Sequence, residues 1–167
     1  MANQKQTSDA GKPNQGGRPG SGRREAKSDE ASNGLDDWLA IGTDGTITAF
    51  SGKVEIGTGV RTALAQIVAE ELDVPLARVH MVMGDTALTP DEGYTAGSMT
   101  IRSSGTALRQ AAAEARRAML EMASEQLDAN LDELSIQDGA ITVAHDPRRS
   151  VTYAELMGGK LFNIQVT

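Results

Sequence analysis

The chain has 167 residues, enough to bury the core of one domain and too few for two comfortable ones. It has no cysteine and two histidines, His80 and His145, which excludes disulfides, thiolate metal sites and a cysteine nucleophile and leaves little scope for a histidine-based centre. A net charge of −7 argues against nucleic acid as the main partner, because neutralising phosphates needs a basic face.

Aromatic residues make up only 3% of the chain, so the core has to be built from Ala, Leu, Ile, Val and Met. Charge is unevenly spread. Residues 1–34 carry six basic side chains against four acids, a balance of +2, which leaves the rest at −9. That segment, MANQKQTSDAGKPNQGGRPGSGRREAKSDEASNG, has almost no large apolar residue to offset the entropy of ordering, and is expected to be a disordered tail. Arg23-Arg24 hints at a twin-arginine export signal, but REAKSDEASNG follows where an apolar stretch should stand. No apolar run is long enough to cross a bilayer, and the expectation is a cytoplasmic protein with no membrane partner.

A folded domain is expected from Leu35 to Thr167. WLAIGTDGTITAFSG reads as two strands around Asp44-Gly45, a hairpin signal. Val60 to Leu72 reads as an amphipathic helix, with Leu64, Ile67, Val68 and Leu72 on one face. Pro75 bars its continuation, and RVHMVMG reads as a buried strand on which His80 alternates with apolar residues and faces outward. DTALTPDEGYTAGSMT is a long polar loop, of the kind that is functional or mobile. From about Thr100 to Leu127 the longest helix is expected, with Gly105 near its start. ELSIQDGAITVAH repeats the hairpin pattern around Asp138-Gly139, VTYAELMGG is a short helix stopped by glycines, and LFNIQVT a last strand. The expected class is α+β, a mixed β-sheet with hairpins and two main packing helices.

Three runs could carry chemistry. Gly57-Thr58-Gly59 opens a helix, where glycines admit close backbone approach and the helix end offers N–H groups to an anion; an unliganded tight turn is the commoner meaning of such a run. Gly84-Asp85-Thr86 follows a strand but is also ordinary turn chemistry. Thr95-Ala96-Gly97-Ser98-Met99-Thr100 precedes the long helix and could grip phosphate or merely cap it. If the two helix starts converge, they suit a ligand with phosphates at one end and a polar ring system at the other. Asp91-Glu92, Arg116-Arg117 and Asp36-Asp37 read as solvated surface, Met119, Leu120 and Met122 as core filler, and Trp38 as a core anchor. No residue stands out as catalytic or as a metal ligand.

The ordered run from WLAIGTDGTITAFSGKVEIGTG through RVHMVMGDT and DEGYTAGSMT to AAAEAR resembles the molybdopterin-binding large subunit of the molybdenum hydroxylases, the xanthine dehydrogenase and aldehyde oxidase family, and is most similar to the isoquinoline 1-oxidoreductase type. The likeness covers about Leu35 to Val143. It implies that Gly57, Thr58 and Gly59 form a first cofactor loop, and that Thr95, Ala96, Gly97, Ser98 and Thr100 lie against the phosphate-bearing part of molybdopterin, often its cytosine dinucleotide, with molybdenum. The family commonly has Gln between the two glycines where this chain has Thr58, whose hydroxyl reaches less far. The resemblance further implies partners, the remainder of the large subunit and a subunit carrying [2Fe-2S] centres. The family's catalytic glutamate lies far downstream and has no counterpart here. The expectation is therefore a cofactor-binding part of an oxidoreductase that oxidises an aldehyde or N-heteroaromatic ring with oxygen from water, inactive alone. A non-enzymatic adaptor of αβ fold is the alternative.

Overall fold

The structure, a computed structural model, describes residues 34–166; the expected tail falls almost wholly outside them. The α+β class holds, with its strands divided between two three-stranded sheets.

The first sheet begins with β1 (Leu39–Ile41) and β2 (Ile47–Ser51), which pair antiparallel with Leu39 opposite Ala49 and Ile41 opposite Ile47. Asp44 turns the hairpin by accepting the Thr46 N–H at 3.0 Å, and Gly45 supplies a φ of 80°. From β2 the chain crosses through helix α1 (Val60–Leu72) to β3 (Val79–Met83), which lies parallel to β2 with Ile47 opposite Val79. β3 is an edge strand. Only Met81 is buried along it, so the buried strand expected here is half-covered, and His80 is exposed as expected. β3 pairs with β2 on one side only, and α1 is the helix that packs against it.

Helix α2 (Thr106–Leu127) is preceded by a π-helical turn at Ile101–Gly105. Gly105 explains the close approach of this turn to α1: a Cβ there would stand 3.1 Å from Ile67 Cδ1 and 3.7 Å from Leu64 Cδ2. Leu64, Val68 and Leu72 of α1 meet Leu108, Ala111, Ala112, Ala115 and Met119 of α2 in one core, where the alanines let the helix backbones come near. Leu120, Met122 and Trp38 pack at its margin.

The second sheet is an antiparallel meander of β4 (Leu134–Gln137), β5 (Ala140–Val143) and β6 (Asp146–Thr152). Asp138 and Gly139 make its first turn with φ of 51° and 75°, the pattern of a tight hairpin. β6 was not expected. Its Asp-Pro-Arg-Arg start lacks apolar alternation, and Pro147 is tolerated because the strand lies at the sheet edge. Helix α3 (Tyr153–Met157) follows, capped by Thr152 and Glu155 and ended by Gly158 and Gly159 with positive φ. Buried Tyr153 sends its hydroxyl to the Leu72 carbonyl at 2.8 Å, tying α3 to the end of α1; burial pushes its pKa up.

LFNIQVT is not a strand. It touches the start of the described residues through one bridge, Gly34 to Gln165, with the Leu35 N–H on the Ile164 carbonyl at 2.8 Å, and a side chain holds the rest of its backbone: the Asp36 carboxylate accepts the N–H groups of Phe162 (2.7 Å) and Asn163 (2.8 Å). Asp36 is thereby a clamp between the two ends of the domain, not solvated surface.

Candidate functional site

β2 ends at Ser51, and six residues later the chain enters the Gly57–Gly59 turn. Gly57 and Gly59 have φ of 90° and 77°, and no atom lies within 4 Å of where a Cβ would stand on either. Glycine is needed there for the left-handed backbone and leaves open space in front of it. The amides of this turn are not free, however. Glu55 folds back over the start of α1: its Oε1 accepts the N–H groups of Thr58 (2.6 Å) and Gly59 (3.1 Å), and its Oε2 accepts that of Arg61 (2.9 Å). Thr58 Oγ1 adds a hydroxyl donor to Oε1 at 3.3 Å. Backbone donors, that of Arg61 foremost, hold the Glu55 carboxyl at about 2, well below the usual range. This narrows the expectation that the first helix start presents unused N–H groups to an external anion, because those of Thr58, Gly59 and Arg61 are already taken. The protein supplies its own anion, and a phosphate would meet a carboxylate charge there.

The second loop, residues 84–99, is long but fastened. Glu92 Oε2 accepts the Ser51 hydroxyl and the Gly52 N–H, both at 2.8 Å, and Oε1 accepts the Ser104 hydroxyl at 2.5 Å. One carboxylate thus joins the end of β2, the loop and the first turn of the long helix. Lys53, buried at 5% exposure, donates its ammonium to the carbonyls of Glu92 (2.5 Å) and Tyr94 (2.8 Å). Gly52 admits the loop: a Cβ there would fall 2.2 Å from the Pro90 carbonyl oxygen. Glu92 is therefore an anchor, contrary to its reading as solvated surface. No signal in the sequence could pair it with residues 40 positions away, although its place inside a long polar loop marked it for attention.

Beyond the anchor, the Thr95 hydroxyl accepts the Val54 N–H at 2.9 Å. Gly97 and Ser98 both take positive φ, 63° and 56°, and Met99 N–H closes the turn on the Ala96 carbonyl at 3.3 Å. Ser98 is a non-glycine residue held in the left-handed region at the rim of the site, a locally strained arrangement. Thr100 then begins the helix.

These two loops meet. Ile56, Thr58, Gly59, Val60 and Ala63 on one side and Thr95, Ala96, Gly97, Ser98, Thr100 and Ile101 on the other line one open cavity of about 350 Å3. Seven of the eight residues picked from the sequence line it, and Gly57 shapes the adjacent turn without lining it. Thr95 also borders a wider, acidic cleft of about 730 Å3 with Asp91, Glu92 and Tyr94. Gly84-Asp85-Thr86 is turn chemistry: Asp85 Oδ1 accepts the Ala87 N–H at 2.9 Å, and its carbonyl accepts from Thr89. The donors suit an anionic pterin compound on one side only. Thr95 keeps its hydroxyl proton to donate, Ser98 and Thr100 add two hydroxyls, and the start of the long helix lies beside them. The first loop contributes a glycine-lined wall and the Thr58 hydroxyl. Among the described residues there is no group of acids and histidines that could hold a metal ion, and no helix long and apolar enough to cross a membrane.

Residues 19–166 match the family described as the molybdopterin cofactor-binding domain, so the chain belongs to that family. It is 43% identical over 129 residues to one of the subunits of nicotinate dehydrogenase from Pseudomonas putida, a match covering 77% of this chain and 11% of that protein. The beta subunit of isoquinoline 1-oxidoreductase from Brevundimonas diminuta is 32% identical over 127 residues, 72% of this chain and 16% of its own length. Among solved structures, CO dehydrogenase from Oligotropha carboxidovorans superposes with a TM-score of 0.64 at 25% identity, covering 77% of this chain and 16% of that one. Quinoline 2-oxidoreductase from Pseudomonas putida 86 superposes with a TM-score of 0.60 at 26% identity, covering 72% and 15%. The chain spans less than a fifth of each of these proteins.

Proposed function

We propose that residues 35–167 act as the part of a molybdenum hydroxylase that holds one flank of molybdopterin, in its cytosine dinucleotide form, in the cavity between the two loops. The observation that carries this reading is the meeting of Thr58, Gly59 and Thr95–Thr100 on one cavity in a chain of the molybdopterin-binding family. Thr95, Ser98 and Thr100 take the anionic end through hydroxyl donors, and Gly57 and Gly59 let the ring system lie close to backbone. The bound cofactor supplies the redox chemistry, oxidation of an aldehyde or N-heteroaromatic ring with water as oxygen source. The chain's own contribution is positioning. The remainder of a large subunit completes the cofactor's surroundings, and a partner subunit with [2Fe-2S] centres takes the electrons. Exposed Ile56 and Ile101 at the cavity, and Tyr94 in the adjoining cleft, are apolar groups that such a neighbour would cover. Alone the chain performs no hydroxylation, and it works in the cytoplasm.

The test is co-expression with chains that supply the missing length, followed by molybdenum and pterin analysis of the purified complex. Ala63 lines the cavity from the first turn of α1, and only its backbone N–H bonds the first loop, at the Gly59 carbonyl, so Ala63→Phe fills the cavity without removing a side-chain contact of either loop. Molybdenum at one per wild-type complex and a loss of most of it in Ala63→Phe is the expected result. Thr58→Ala should lose less. A stable wild-type complex free of molybdenum, or equal metal in Ala63→Phe, overturns the proposal; the former would favour a non-enzymatic adaptor.

A further inference from the structure

The segment between β3 and the long helix, residues 84–99, crosses the fold without joining its core. None of its side chains belongs to the hydrophobic cluster, and only Thr89 and Pro90 within it are buried. Its inner bonds close local turns: the Leu88 and Thr89 N–H groups go to the Asp85 carbonyl, and that of Met99 to the Ala96 carbonyl. Apart from the helical end at Met99, the hydrogen bonds that tie it to the rest converge on one short stretch, Ser51 to Val54, with Ser104 beside it. A segment with few buried apolar contacts and one central attachment is the kind that opens locally while the body stays folded.

That attachment is reciprocal. Glu92 reaches over to the Gly52 N–H with its carboxylate, and Lys53, the next residue, reaches back to the Glu92 carbonyl with its ammonium. The same ammonium takes the Tyr94 carbonyl, and the Thr95 hydroxyl accepts the Val54 N–H. Two opposite charges thus close on each other's backbone in a part-buried place, where water screens them poorly. Beneath them Ser51 and Ser104 are fully buried, both hydroxyls donating to Glu92. Removing one charge leaves the other there without its counterpart; removing both does not.

We propose that Lys53 and Glu92 are two halves of one latch, and that residues 84–99 are a strap which this latch holds shut and which swings free as a unit. The strap stands between two hollows. Its residues Thr95 to Ser98 wall the cavity, its residues Pro90 to Thr95 wall the wider cleft, and Thr95 borders both. With the latch open the hollows run together, and the Thr95 and Ser98 hydroxyls leave the cavity. The latch therefore decides whether the cavity has a second wall, whatever the cavity holds, and its tests need no ligand.

Amide exchange of the whole 167-residue chain, resolved by nuclear magnetic resonance, reads the latch directly. The Gly52 and Val54 N–H groups bond to different strap side chains. They should nevertheless share one opening rate, more than about tenfold faster than that of Val68 in the core. Glu92→Gln and Lys53→Met keep the shape of each side chain and remove its charge. Each should raise the opening rate about tenfold, and the double variant about tenfold also, not a hundredfold. The Thr58 and Gly59 N–H groups, held by Glu55, should keep their rates throughout. A thiol gives a second measure, because the chain has no cysteine. Ser104→Cys places one under the strap, where an aromatic disulfide reagent should reach it about tenfold faster once Lys53→Met is added. Gly52 and Val54 exchanging independently, or only as slowly as Val68, overturns the strap. Single effects that multiply in the double variant overturn the one latch, and equal labelling of the Ser104→Cys thiol with and without Lys53→Met overturns the part given to Lys53.

Discussion

The two loops that face each other across the cavity are built on opposite plans. The first is short, carries its special backbone on glycines with open space before them, and is closed by a carboxylate four residues back from its last glycine. The second is long, places a serine in the left-handed region, and is fastened to the rest of the fold by its own Glu92 and by Lys53. A loop that satisfies its own amides can be exposed and still hold its shape. A long one has to borrow rigidity from the body of the fold, here from the end of β2 and the first turn of the long helix. The pairing of one self-closed wall with one anchored, donor-bearing wall is what gives the cavity a polarity.

The largest effect should come from breaking what the loops share. Leu64 is fully buried between α1 and the start of the long helix, so Leu64→Ala should cost about 3 kcal/mol by lost burial plus the cavity left behind. Urea unfolding measures it, and amide exchange should quicken in both loops alike. Glu92→Ala separates them. It strands the Gly52 N–H and leaves the Ser51 and Ser104 hydroxyls only their mutual contact at 3.3 Å in a part-buried site, a loss of about 2 kcal/mol. Exchange should rise across residues 90–98 and stay unchanged at Thr58 and Gly59; equal loosening on both sides would deny that the walls are held independently. Gly59→Ala is milder. Nothing crowds its Cβ, so the cost is the left-handed backbone alone, about 1 kcal/mol, seen as a small fall in Tm.

This contrast explains which parts could be read from the chain. The bounds of α1 follow from leucines spaced for one face and from Pro75, and the Asp138-Gly139 turn from residues that tolerate positive φ. Both glycine-rich loops were visible because the backbone they need restricts the residue type. What escaped is made by side chains acting at a distance. LFNIQVT alternates like a strand, yet Asp36, more than a hundred positions away, takes up its N–H groups. β6 pairs through its backbone with little apolar pattern to betray it. The role of Glu92 needs the fold before it exists. Glu55 was the exception that could have been found, since an acid just before a glycine turn that opens a helix is placed to cap it.

The smallest effect is also the most selective, and it bears on the self-closed wall alone. Backbone N–H groups hold the Glu55 carboxyl down to about 2, against an ordinary glutamate value of about 4.5 in the unfolded chain. The folded state therefore binds this proton less readily than the unfolded state does. Its contribution to stability is complete above the unfolded value, shrinks as the pH falls below it, and is gone once the folded carboxyl is itself protonated. In wild type, lowering the pH from 6 to 3 should reduce stability through every carboxylate with a depressed value, Asp44, Glu133 and Glu155 among them. Glu55→Gln removes one of these titrations and should flatten the descent slightly. Urea midpoints for the two proteins measured side by side across that range decide the matter. Parallel curves would mean that the turn holds its shape without the carboxylate charge, and the wall facing Thr95 would then owe its form to the glycines alone.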